Sequence, residues 1–323
     1  MAIDFVLSHI ADFGGDPGNV TLAGESAGAV YCHAHMAIGS PVRQCILQSG
    51  SLYLSPPQPR TNGSVVIGRL EGALSNLGKW TMRDAPVQKL LEAQAELGLV
   101  SFFLQAEEPL DGWETKHGSV ERLLIGDTEY EAVLWHNGMQ ELSAPQIAEA
   151  FELAGSASAD LSRLYGIVKD RPSACKYGAL DFLNDARFVL PVEMMTETWQ
   201  EAKCPVFRFL VDQPNPWQSS SRAHHAVDLL YVFGAFDLSF NPAAQAVSIE
   251  MQKKWIEFIQ GQNPWQPGGY WTFGPHGESQ SIDDKGFAAR RRNRHLDALK
   301  SLGPEVIDPV YKALAAGRLS LLN

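Results

Sequence analysis

The stretch Asn19-Val20-Thr21-Leu22-Ala23-Gly24-Glu25-Ser26-Ala27-Gly28 decides how this chain is read. Residues 19–23 form a short β-prone run, as a buried parallel strand would. Ala29-Val30-Tyr31-Cys32-His33-Ala34-His35-Met36, just beyond, suits a helix. Strand, glycine-flanked serine and helix make the sharp turn that lifts a hydroxyl above the end of a sheet. Gly24 and Gly28 leave room for that turn, and the N–H of Ala27 would point toward a developing oxyanion. The plainer reading is an ordinary serine in a glycine-rich connection, since the chain holds 28 glycines. The flanking strand and helix argue against it.

Outward from this stretch, Ile3, Val6, Leu7 and Ile10 recur at helical spacing and predict an opening amphipathic helix. Cys45-Ile46-Leu47-Gln48-Ser49-Gly50, Leu123-Leu124-Ile125-Gly126 and Val206-Phe207-Arg208-Phe209-Leu210-Val211 read as further strands. Asp84 is expected to cap a helix carrying Val87, Leu90, Leu91, Ala93 and Leu97. Ile147–Phe151, Leu161–Tyr165 and residues 243–260 also read as helices. Strands alternating with helices predict an α/β fold with a mainly parallel sheet covered on both faces. No repeat or low-complexity linker interrupts the chain. The expectation is one domain over 1–323, with helical insertions at about 84–120 and 140–200 packed over the strand ends.

The chain has 323 residues, 45% hydrophobic and 20% charged, and can build its core without metals or disulfides. A net charge of −11 speaks against a nucleic-acid surface. The run Arg290-Arg291-Arg292-Asn293-Arg294 reads as a solvated face, or as a patch for an anionic partner. Cys32, Cys45, Cys175 and Cys204 show no ligand spacing, so neither a metal nor any other cofactor is expected, and free thiols are the reading. The first ten residues lack a basic start and a cleavage site, so no signal peptide is read and a cytoplasmic location is the default. No run is apolar for the roughly 18 residues of a membrane span.

A serine needs a base to take its proton and an acid to orient that base, and behind such a turn the chain order is serine, acid, histidine. His33 and His35 lie on the serine's own helix and read as helix-surface or core residues. His224 and His225 follow a strand and a polar loop, where the base belongs.

The segment Ile10–Gly28 resembles the signature of the type-B carboxylesterases, the family of cholinesterases and fungal lipases, which has the α/β-hydrolase fold. Ile46–Ser51, Gly126–Glu131, His225–Gly234 and Met251–Pro264 resemble the family's following strand, acid segment, histidine segment and C-terminal helix. Support is poor between about 52 and 120. The resemblance implies Ser26 as nucleophile, Glu131, five residues after Gly126, as orienting acid, and His225 as base. Glu129 is the rival acid and His224 the rival base; Asp228, three after His225, matches the family's acidic residue. Glu25 and Asp228 are implied as electrostatic support, Ala27 as an oxyanion donor, and Leu134 and Trp135 as substrate-pocket lining or plain core.

The sequence departs from the family at Ala132 and Ala226, where glycine is common, and lacks a cysteine pair near Gly78-Lys79. The family's remaining oxyanion donors, and several strands, lie upstream of the segment matching Ile10. The expectation is therefore a fungal-type fragment starting at an internal methionine, with β-prone residues 19–23 as a bare edge and activity weakened by the lost donors. Secretion stays open on that account. The expected function is hydrolysis of small carboxylic esters through an acyl-enzyme. The alternative is an inactive or non-catalytic esterase-like protein serving as an interaction module.

Overall fold

A computed structural model describes residues 1–99 and 102–315. Strands β1 (Thr21–Glu25), β2 (Gln44–Gln48), β3 (Arg122–Thr128), β4 (Val206–Val211) and β5 (Tyr270–Phe273) lie side by side in that order, all parallel. An antiparallel strand, β6 (Ser279–Ile282), ends the sheet. This is the mainly parallel α/β sheet the sequence predicts. β2, β3 and β4 are buried along their whole length. Cys45, Leu47, Leu123 and Ile125 pack on one face with Met36 of the helix Ala27–Ala37 and with Trp199. Ile46, Leu124, Phe207 and Phe209 pack on the other with Trp255 and Phe258 of the helix Pro242–Ile259. Strands covered on both faces read as unbroken apolar runs, which is why these three are legible.

β1 occupies the edge. Val20 O accepts from Arg43 N and Ser26 N donates to Gln48 O, so even-numbered residues bond β2. The N–H and C=O groups of Thr21, Ala23 and Glu25 therefore point away from the sheet. The predicted opening helix forms over Ala2–His9, but none of its residues is buried.

The chain divides into two compact units, Met1–Leu54 with Thr115–Asn323, and Ser55–Glu114. The sheet belongs to the first. The second packs the helices Arg60–Gly78 and Val87–Glu96 around Leu70, Ala73, Leu74 and Ala93. Asp84 does not cap the second helix: its carboxylate accepts from Thr81 N and Oγ1, and Pro86 stands at the cap. Between 84 and 120, regular α-helix among the described residues is confined to Val87–Glu96, far less than expected. Between 140 and 200 four α-helices form. No described helix is long and apolar enough to cross a membrane.

The basic run is not a solvated face. Arg291 is 6% exposed, with Nε on Asp127 Oδ2 (2.7 Å) and Nη1 on Asp212 Oδ1 (2.8 Å). Arg290 Nη1 also reaches Asp212 (2.6 Å), and Arg292 grips Asp185 through Nε and Nη2. Buried Arg208 bonds Asp127 and Glu193. An aspartate paired this way lies 79 or more residues from Arg291, so no local pattern announces it.

Candidate active site

Ser26 joins β1 to the helix Ala27–Ala37 with φ 54° and ψ −120°, a backbone that a non-glycine residue adopts only under constraint. A Cβ at Gly24 would sit 2.3 Å from the Gly28 carbonyl carbon, and one at Gly50 would sit 2.5 Å from Ser26 O. A Cβ at Gly28 would meet nothing within 4 Å, so of the two flanking glycines only Gly24 is needed for clearance. Ala27 opens the helix, and its N–H has no partner within it.

β3 leads toward Glu131. Past its end, Tyr130 N donates to Ala223 O (2.9 Å) and His225 N to Tyr130 O (3.2 Å), a short parallel bridge between two loops. The bridge sets Glu131 against His225. Glu131 is fully buried; its Oε1 accepts from Thr128 N (2.6 Å) and its Oε2 lies 2.5 Å from His225 Nδ1. The backbone N–H groups of Glu131 and Ala132 both donate to Asn184 Oδ1 (2.8 and 3.3 Å), and the Phe188 ring meets the His225 ring at 5.5 Å. No sequence pattern singles out Asn184 or Phe188. Ala226 takes φ 65°, the left-handed region in which glycine is at ease.

The rival residues are occupied elsewhere. Glu129 pairs with Arg222 (2.7 Å). His224 engages His225 O through Nδ1 and Asn215 through Nε2. His33 is buried, accepts from Leu52 N at Nδ1 (3.1 Å), and is pulled down to about 3 by burial, which keeps it neutral. Trp135 sits in the core against Phe188 and Tyr311, and Leu134 packs on the same cluster. All four cysteines are free.

Three carboxyl groups surround one imidazole. His225 Nε2 lies 3.2 Å from Glu25 Oε1, and among the described residues no hydrogen bond joins it to Ser26 Oγ. Asp228, fully buried, accepts from Gln48 Nε2 (2.5 Å), whose Oε1 accepts from Trp255 Nε1 (3.2 Å). Burial pulls the His225 imidazole down, but the charge and hydrogen bond of Glu131, with Glu25 and Asp228 behind them, hold it above its ordinary value. Burial pushes Glu25 up to about 8 against the opposing pull of His225, with Asp228 and Glu131 adding to the rise. Asp228 is pushed up to about 6, again chiefly by burial.

A carboxyl that binds its proton more tightly when folded adds stability that is complete below its unfolded value and is lost as pH rises through its folded one. For Glu25 that window runs from 4.5 to about 8. Between these limits the parent chain should lose up to about 1.4 kcal/mol per pH unit relative to Glu25→Gln. Urea unfolding of both proteins at the two ends of the window checks this; an identical pH dependence refutes it.

A sequence model of the carboxylesterase family matches residues 1–285. Lipase 3 of Yarrowia lipolytica is 32% identical over 284 residues, covering 81% of this chain and 54% of that protein. Para-nitrobenzyl esterase of Bacillus subtilis is 25% identical, covering 81% of this chain and 58% of that protein. The carboxylesterase EST55 of Geobacillus stearothermophilus superposes with a TM-score of 0.71 at 21% identity, over 90% of this chain and 67% of that one, and so shares its fold. The chain thus spans about half the length of the relatives it matches. With 285 of its residues under the family pattern, the chain belongs to the carboxylesterase family.

Proposed function

We propose that this chain hydrolyses small carboxylic esters through a Ser26–His225–Glu131 triad. The observation that carries the reading is the Glu131 Oε2–His225 Nδ1 contact of 2.5 Å, together with a serine held at φ 54° between a strand and a helix. With the Nδ1 hydrogen directed at Glu131, Nε2 is left as the base. Ser26 Oγ attacks the ester carbonyl carbon as its proton passes to Nε2. The carbonyl oxygen becomes an oxyanion facing the Ala27 N–H. Collapse expels the alcohol, which takes the proton back from Nε2. Water then attacks the acyl-enzyme and gives a proton to the same nitrogen, and collapse returns that proton to Ser26 Oγ, releasing the acid and free Ser26. Ser26 Oγ and His225 Nε2 have to come within hydrogen-bond reach for the first step. Serine–histidine hydrogen bonds of this kind tighten once substrate is bound.

A second reading, a non-catalytic esterase-like module, draws on the missing Ser26–His225 hydrogen bond. Treatment with a fluorophosphonate probe separates the two. Labelling of the parent chain and none of Ser26→Ala is expected; no serine-dependent labelling overturns the proposal.

A further inference from the structure

The helices Pro172–Asn184 and Leu190–Glu201 run into each other through a single π turn, Asp185–Val189, with the Leu190 N–H bonded five residues back to Asp185 O. Pro191 accounts for the wide turn: it has no N–H to offer, and its ring crowds the carbonyl of Arg187 four residues earlier. A π turn lets that carbonyl swing clear, and such turns gather at functional sites. Asn184, the residue that leads into the turn, and Phe188, within it, face the site. Asn184, 3% exposed, accepts from the two backbone N–H groups that set where Glu131 leaves the chain. Phe188, 1% exposed, packs its ring on the imidazole of His225. Away from the site the same turn is pinned by ion pairs. Asp185 takes Arg292 and the Tyr165 hydroxyl (3.1 Å). Arg187 takes Asp308 (2.9 Å) and stacks on the Tyr311 ring at 3.7 Å.

We propose that this π turn is a positioning element for the acid and the base, with Asn184 fixing Glu131 and Phe188 fixing the plane of His225. The proposal rests on the triad reading above. Neither residue touches substrate; both act through the Glu131–His225 pair. A misplacement near 1 Å in such a pair costs on the order of 100-fold in rate.

The test is a double-mutant cycle on a p-nitrophenyl ester, with Asn184→Ala and Phe188→Leu each made in the parent and in a Glu131→Gln background. In the parent, Asn184→Ala should lower kcat on the order of 10- to 100-fold with KM little changed, and Phe188→Leu about 10-fold. In the Glu131→Gln background the Asn184→Ala loss should largely vanish, because the carboxylate it positions is gone, while the Phe188→Leu loss, which acts on His225, should persist. A second readout needs no turnover: the low-field proton resonance of His225 Nδ1–H should shift or broaden in Asn184→Ala. Phe188→Leu keeps a large apolar side chain and stays informative if Asn184→Ala unfolds. Equal losses for Asn184→Ala in both backgrounds, or unchanged kcat and an unmoved resonance, overturn the proposal. If Ser26→Ala and His225→Ala hydrolyse the ester as the parent does, the triad reading itself fails, and that outcome is distinct from a failed cycle.

Discussion

Replacing His225 by alanine is expected to lower kcat/KM for a simple ester by roughly 10⁴- to 10⁶-fold relative to the parent chain. Without the imidazole, Ser26 has no base of suitable strength in reach. Glu25 cannot take over, since burial pushes it up to about 8 and it holds its proton at neutral pH. Glu131→Gln should fall in the lower part of the same range, because the amide keeps the packing but no longer stabilises the imidazolium. The substituted positions form the contact between Nδ1 of this histidine and the Glu131 carboxylate, at 2.5 Å. Initial rates on a p-nitrophenyl ester at several pH values are the measurement, with the acid limb of the parent displaced, despite burial, upward from the ordinary histidine value by the neighbouring Glu131. Activity in His225→Ala within tenfold of the parent would sink the assignment.

Asp127→Ala is expected to cost roughly 3–5 kcal/mol in stability, a fall of about 10 °C in Tm. Asp127 is fully buried and lies between Arg208 and Arg291, so its removal leaves two guanidinium groups out of water with less compensation. Asp127 also belongs to β3, a few residues before Glu131, so activity should fall with stability. The contrast is Asp160→Ala. Its partner Arg163 and Asp160 itself are largely solvated, and exposed pairs of this kind contribute about 0–1 kcal/mol. Thermal unfolding of both variants decides the matter: a Tm for Asp127→Ala within a degree or two of Asp160→Ala would show the buried network to be dispensable.

What the sequence determines by itself is local or periodic. The apolar runs at 45–47, 123–125 and 206–211 are continuous because both faces of those strands are covered. The turn at Gly24–Gly28 is legible because a strand, a cramped serine and a helix must follow one another directly. The short strands β5 and β6 escape the sequence reading, being only four residues each and half-exposed in part. The Arg290–Arg292 run is misread for a different reason: charge in a sequence suggests solvent, whereas its aspartate partners converge on it from β3, from the end of β4 and from the π turn. The site divides along the same line. The family resemblance of the sequence implies Ser26, Glu131 and His225. Only the tertiary structure decides that Glu129 is taken by Arg222, that His225 faces Glu25, and that Asn184 accepts from the Glu131 N–H while Phe188 packs on the His225 ring. Those choices depend on contacts between residues dozens to hundreds of positions apart, which the packing of the sheet and its helices brings together and no local pattern encodes.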